Sequence, residues 1–140
     1  MSGDEPMSVR HAAERWAATW QRAWEARDTD AIVPLYAPGS VFSSEPFRAA
    51  FEGSDGVREY VGGAFAEEAA PRVWVGTPVV DEDGRRAAVE WWAALIENGA
   101  QVTLAGTSVL RFDAAGLVTE QRDTWNQAVG LREPPGGWGR

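Results

Sequence analysis

"RAAVEWWAALIENGAQVTLAGTSVLRF", residues 86–112, holds two β-rich runs joined by Asn98-Gly99. Asn-Gly between two such runs is a strong signal for a two-residue hairpin, because both turn residues must take positive φ and these two types tolerate it. The pattern extends in both directions. "RVWVGTPVV" (72–80) lies upstream across Asp83-Gly84, a second two-residue hairpin signal, and "LVTEQRDTW" (117–125) lies downstream across "DAAG". At least four antiparallel strands in sequence are predicted after Pro71.

Before Pro71 the apolar period is helical. Val9, Ala12, Ala13, Trp16, Trp20, Ala23 and Trp24 recur at three-and-four spacing, which predicts a helix of about five turns with one aromatic stripe. The pattern breaks at Arg27-Asp28. Thr29 or Asp30 is read as the cap of a short second helix reaching about Tyr36, "SVFSSEPF" (40–47) as a strand region, and Ser54 as the cap of a third helix. Helices followed by a long sheet imply an α+β domain: three N-terminal helices packed against a strongly curved antiparallel sheet, a cone whose open end leaves a concavity for a small molecule. The expected organisation is a flexible N-terminus (1–8), one domain (9–128) and a Pro/Gly-rich irregular tail (129–140), whose Trp138 either packs on the body or stays mobile.

Composition closes several function classes. A net charge of -8 and a pI near 4.6, with no basic stripe, disfavour nucleic acid and anionic membrane surfaces as partners. No apolar run suits a signal peptide or a membrane span, so a cytoplasmic location is expected. There is no cysteine, all 13 basic residues are arginine, and the single histidine, His11, lies on the polar side of the first helix. Thiol, lysine Schiff-base and Ser-His-Asp chemistry are thereby excluded, no cysteine or histidine cluster can hold a metal, and no cofactor is expected. Carboxylates, hydroxyls, arginine and aromatic packing must carry any catalysis.

"TEQRDTWN" (119–126) places Gln121, Asp123 and Trp125 on one strand face. An acid beside a tryptophan is either a solvated residue at a sheet edge or a carboxylate desolvated in a pocket. Trp91 and Trp92 are adjacent, so only one of them can face the interior.

"ARDTDAIVPLYAPGSVFSS" (26–44), "EGSDGVREYV" (52–61) and "GTSVLRFDAAGLVTEQRDTWN" (106–126), in this order and spacing, resemble the SnoaL-like branch of the nuclear transport factor 2-like (NTF2-like) superfamily, from about Val9 to Gln127. That superfamily includes polyketide cyclases, ketosteroid isomerases, an epoxide hydrolase, dehydratases and members that are not enzymes. The resemblance puts Trp20, Ser44 and Ser108 where the ketosteroid isomerases carry a tyrosine, a base and a protonated aspartate, so that chemistry is not expected. Against the limonene-epoxide-hydrolase type the corresponding positions are Phe42, Ser44, Trp91, Ala93 and Asp123, and only the last carboxylate remains. The SnoaL-type cyclases need chiefly one acid in an apolar cavity, which Asp123 with Trp20, Phe42, Trp91 and Trp125 satisfies. Tyr36 and Tyr60 are candidate hydroxyl donors to the cavity, and Ser44 and Ser108 candidate polar anchors.

By the same resemblance Trp91 faces the cavity and Trp92 points outward beside Glu90. An outward tryptophan calls for cover, so a homodimer through the outer sheet face is expected, with Glu90, Trp92, Arg111, Glu120 and Arg122 at the contact; the alternative is a solvated charged face. The functional expectation is a cofactor-free cyclase, isomerase or hydrolase acting on an apolar or aromatic metabolite through Asp123, whose pKa desolvation should raise. The alternative is a non-catalytic ligand-binding or accessory domain, with Asp123 a structural or rim residue.

Overall fold

The computed structural model describes residues 5–140. Helix α1 (Val9–Ala26) buries the predicted stripe, from Val9 through Trp24. Ser8 caps it by accepting from the His11 N–H, and Arg27 ends it in the left-handed region. A distant carboxylate completes the cap: the two oxygens of Glu82 accept the N–H groups of Val9 and Arg10 at 2.9 and 3.0 Å. These two bonds hold the Glu82 carboxyl below its usual range and fix the helix start to the sheet.

Helix α2 (Thr29–Ile32) is capped by Asp28 rather than by Thr29 or Asp30, and passes into a 3-10 turn, Val33–Leu35, around Pro34. Tyr36 is already the first residue of strand β1 (Tyr36–Ser43), which meets the short β2 (Phe51–Glu52). Helix α3 (Gly53–Glu67) starts one residue before the expected cap, Ser54; Gly53 at its head has φ 67, which glycine tolerates, and Glu52 at the N-cap position makes no side-chain bond. A side chain at Gly53 would also meet the Pro38 carbonyl at 2.9 Å.

The sheet continues through β3 (Glu68–Val75), β4 (Val79–Asp81), β5 (Arg86–Glu97), β6 (Ala100–Phe112) and β7 (Val118–Val129). Asn98 and Gly99, at φ 49 and 84, form the predicted two-residue turn between β5 and β6. Asp83-Gly84 instead lies in a four-residue loop, and positive φ falls on Arg85, at 52. Gly84 is needed for proximity: its N–H bonds the Asp81 carboxylate, which occupies the space a Cβ would take. The Arg85 guanidinium holds the loop in place by donating to the carbonyls of Met7, Phe112 and Asp113.

Strand order is β2-β1-β7-β6-β5-β3, with β4 also pairing β5. The expectation of an antiparallel sheet needs one correction, since β1 runs parallel to β7. The sequence signals came from hairpins, and these two strands are joined by the whole intervening chain, which leaves their relative direction free. The result is an α+β cone: three helices against a curved, mixed sheet. Its core includes Val9, Val57, Val61, Val89, Leu95 and Leu110, all essentially inaccessible. Along the β3 edge, Glu25 accepts the Val73 N–H and Gln21 donates to the Val73 carbonyl, so α1 side chains occupy edge groups that would otherwise be open to pairing.

Residues 1–4 of the expected flexible N-terminus lie outside the described residues. From Met7 the chain is fixed, its N–H donating to the Ala114 carbonyl. On the outer face Trp74 and Trp92 are direct cross-strand neighbours. The tail covers part of this pair. Trp138 meets Trp92 edge-on at 6.4 Å, the Gly139 carbonyl accepts the Thr77 N–H at 2.7 Å, and Glu133 bonds Arg72, whose guanidinium lies over Trp74. The tail has no regular structure, but Trp138 packs on the body. Elsewhere on this face Glu90 and Arg122 are exposed, and Arg111 approaches Glu120 at 3.5 Å.

Candidate functional site

Helix α1 packs against β3 and β5, and between it, α3 and the curved sheet lies a cavity of about 450 Å³. Helical spacing brings Trp16, Trp20 and Trp24 to it from one side. Trp91 on β5 and Trp125 on β7 enter from the sheet, with Tyr60 and Phe65 from α3 and Phe42 and Phe51 from β1 and β2. The tryptophans touch in series, with ring centroids 5.9 Å apart for Trp16 and Trp20, 5.8 Å for Trp20 and Trp24, and 5.6 Å for Trp24 and Trp91.

Strand alternation places Gln121, Asp123 and Trp125 together in the lining. Asp123 is only 8% exposed. Its Oδ1 accepts from Ser108 Oγ at 2.6 Å and from Gln121 Nε2 at 3.0 Å. Each donor is oriented by a further bond. Ser108 accepts the Trp91 indole N–H at 3.0 Å, which leaves its own hydrogen for Asp123. Tyr36 accepts the indole N–H groups of Trp16 and Trp20 at 3.2 and 3.0 Å and donates to Gln121 Oε1 at 2.5 Å. The Gln121 amide is thereby fixed with its nitrogen toward the acid. Two chains of hydrogen bonds, one through Ser108 and one through Tyr36 and Gln121, converge on Oδ1 of Asp123. Among the described residues Oδ2 has no protein partner, and it keeps contact with the cavity.

Burial pushes the Asp123 carboxyl up to about 7, against the two hydrogen bonds that favour its charged form. Burial likewise pushes the Tyr36 phenol up, so it stays protonated, and the Tyr60 phenol up to about 12. A second buried acid lies in the same lining. Glu68, the first residue of β3, accepts the Trp24 indole N–H on Oε1 at 2.7 Å, and burial pushes its carboxyl up to about 7.

Of the residues singled out in the sequence, Trp20, Phe42, Tyr60, Trp91, Ser108, Asp123 and Trp125 all line the cavity. Two do not. Tyr36 lies behind Gln121, 3% exposed, and acts only through it. Ser44 is buried outside the lining, where its carbonyl accepts the Trp125 indole N–H at 2.8 Å. The Tyr36 hydroxyl is enclosed by the lining residues Trp16, Trp20 and Gln121, and Ser44 lies just past the end of β1. The sequence reading missed Glu68, Gln121, Trp16 and Trp24. Gln121 shares the parity of Asp123, a signal already present in "EQRD". Glu68 follows a second glutamate at a helix end and carries no local signal of burial.

A family model described as the SnoaL-like domain matches residues 14–121. The chain belongs to this SnoaL-like family. No curated protein sequence matches it. Among solved structures, the SnoaL-like domain is similar to SalBIII, an epoxide hydrolase/cyclase-like enzyme in pyran ring formation in the polyether salinomycin; the TM-score is 0.74 at 20% identity, covering 86% of this chain and 96% of that one. It is also similar to RV0760c from Mycobacterium tuberculosis, with TM-score 0.74 at 17% identity and 89% and 98% coverage. A hypothetical protein of ketosteroid isomerase-like fold from Catenulispora acidiphila, in complex with trimethylamine, gives 0.67 at 16% identity, with 76% and 82% coverage. At these identities the likeness is one of fold. Family and cavity together mark the SnoaL-like domain as a small-molecule-binding protein of the NTF2-like superfamily.

Proposed function

We propose that this SnoaL-like domain is a cofactor-free cyclase, isomerase or hydrolase acting on a small, largely apolar or aromatic molecule, with Asp123 as its acid and base. One observation carries the reading: Oδ1 of Asp123 is saturated by Ser108 and Gln121, while Oδ2 is left free in an aromatic cavity. A proton on this carboxyl belongs on Oδ2, the oxygen without donors, which is the oxygen a bound molecule meets. With its carboxyl near 7, Asp123 is poised both to give a proton and to take one at neutral pH. The likeness to SalBIII, itself described as epoxide hydrolase/cyclase-like, favours this reaction class among those the superfamily contains.

A second reading, a ligand-binding or accessory domain without chemistry, is favoured by a different observation. Beyond Asp123, the positions matching the ionisable groups of the isomerases and epoxide hydrolases hold Trp20, Ser44, Trp91, Ala93 and Ser108. The two readings part at Asp123→Asn. Asparagine keeps an acceptor for Ser108 and Gln121 but cannot shuttle a proton. Turnover of a substrate found by screening should fall by roughly 100-fold or more at saturation, a loss beyond any change in affinity. An Asn variant with unchanged turnover would move the assignment to the binder.

A further inference from the structure

The cavity's charge and hydrogen-bonding character point to its ligand. Each of the five tryptophans that line it directs its indole N–H at a protein acceptor: Trp16 and Trp20 at Tyr36, Trp24 at Glu68, Trp91 at Ser108 and Trp125 at the Ser44 carbonyl. The indoles therefore offer the interior ring surface and no donors. Two carboxyl oxygens, in contrast, are unspent. Among the described residues Oδ2 of Asp123 and Oε2 of Glu68 have no protein partner, and both residues are more than nine-tenths buried, at 8% and 6% exposure. Trp24 holds Oε1 of Glu68, and Arg27 anchors the backbone there by donating to the Glu68 carbonyl at 2.7 Å.

The remaining charges in the lining have the same sign, with one exception. Glu59, Glu67 and Glu97 add three carboxylates, and the single basic residue, Arg48, is exposed with its guanidinium over the rings of Phe51 and Tyr60, at 5.0 and 5.8 Å. A plain hydrocarbon would leave both buried acids unpaired, and an anion would be repelled by them. A cation gains from both components: ring faces attract it through their quadrupoles, and ionised carboxylates supply countercharge in a poorly solvated space.

We propose that the cavity takes a hydrophobic organic cation, a protonated amine or quaternary ammonium on an apolar body, with Asp123 and Glu68 as its two countercharges. The inference rests on the cavity being the ligand site, as in the function proposed above, and adds the charge of the ligand. Binding then draws protons off the two acids. The groups facing them set the window. Tyr36 and Tyr60 stay protonated beside Asp123, and Glu67 and Glu97 oppose the ionisation of Glu68 while Arg27 favours it. For each acid that must ionise from about 7, affinity should tighten roughly tenfold between pH 6 and pH 8.

The test is a pair of isosteres, phenyltrimethylammonium and tert-butylbenzene, titrated into the full chain at pH 6 and pH 8 while the indole 15N–1H resonances are followed. The cation should bind at least tenfold tighter than the hydrocarbon at pH 8 and lose that advantage at pH 6, with the hydrocarbon insensitive to pH. Asp123→Asn and Glu68→Gln should each weaken the cation and spare the hydrocarbon, the indole spectrum of each variant reporting its fold. Equal affinity of the two probes at pH 8 overturns the charge assignment and leaves the proposed function standing. If neither probe moves the indole resonances, the cavity is not a ligand site and both proposals fall.

Discussion

Replacing Asp123 by asparagine tests the buried acid without any knowledge of the substrate. The folded protein holds this carboxyl at about 7 against an ordinary value of 3.8, because burial penalises its charge. Below pH 4 the folded and unfolded chains are both protonated at this group and it carries no penalty. As pH rises from about 4 to 7 the unfolded chain releases the proton and the folded chain retains it, so the wild type loses stability across that window and levels off above it. At about 1.4 kcal/mol per pH unit the full loss is on the order of 4–5 kcal/mol, an upper limit that water entering the cavity lowers. That is a substantial share of the roughly 5–15 kcal/mol of a typical domain. Asparagine preserves the acceptor for Ser108 and Gln121 and has no charge to desolvate. Denaturant unfolding of both proteins at intervals from pH 5 to pH 8 should show the Asn variant gaining on the wild type by more than about 1 kcal/mol. Glu68 titrates in both proteins and largely cancels in the difference. A difference that stays flat within about 0.5 kcal/mol would refute the desolvated state of Asp123.

Tyr36→Phe should cost about 2–4 kcal/mol in chemical denaturation, because it orphans the buried indole N–H groups of Trp16 and Trp20 and the Gln121 carbonyl together; a cost below 1 kcal/mol would dismiss the hydrogen-bond hub. Ser108→Ala removes a bond that favours the charged acid, so the Asp123 carboxyl resonance in a 13C NMR titration should move to a still higher midpoint, and a fall would contradict the network's direction. Gly106→Ala should destabilise by about 2 kcal/mol or more, since its Cβ would lie 2.5 Å from the Thr124 carbonyl and 2.9 Å from the Trp91 ring, and a neutral effect in thermal melts would show slack in the cavity wall. We also propose the homodimer through the outer face around Glu90, Trp92, Arg111, Glu120 and Arg122. Sedimentation at micromolar concentration should show about twice the 15.2 kDa of the chain and only the monomer for Trp92→Glu, whereas a wild type found solely as monomer would remove the dimer.

Much of this was legible before the structure because the relevant signals are local. The Asn98-Gly99 turn, the α1 stripe and the parity of Asp123 with Trp125 depend on a few consecutive residues. What escaped depends on groups far apart in the chain. The parallel pairing of β1 with β7 has no turn to announce it, and Glu68 is buried by the return of α1 across the end of β3. Ser44 is a cavity candidate by its aligned position and Tyr36 by its hydroxyl, yet what these residues at the two ends of β1 face depends on how β1 sits against β7 and α3. The cover over Trp92 was sought in a second chain, and part of it is supplied by Trp138, forty-six positions on.

Seven of the eight tryptophans, all but Trp125, fall into two groups that can serve as optical reporters. Trp16, Trp20, Trp24 and Trp91 form an unbroken series at centroid spacings below 6 Å, close enough for excitation energy to migrate along it before emission. A single quencher in the cavity would therefore darken the whole inner set, including rings it does not touch. Trp74, Trp92 and Trp138 lie across the sheet from that set. Their emission would follow the tail as it lifts or settles, so that occupancy of the interior and docking of the C-terminus could be read from the same unlabelled sample at once.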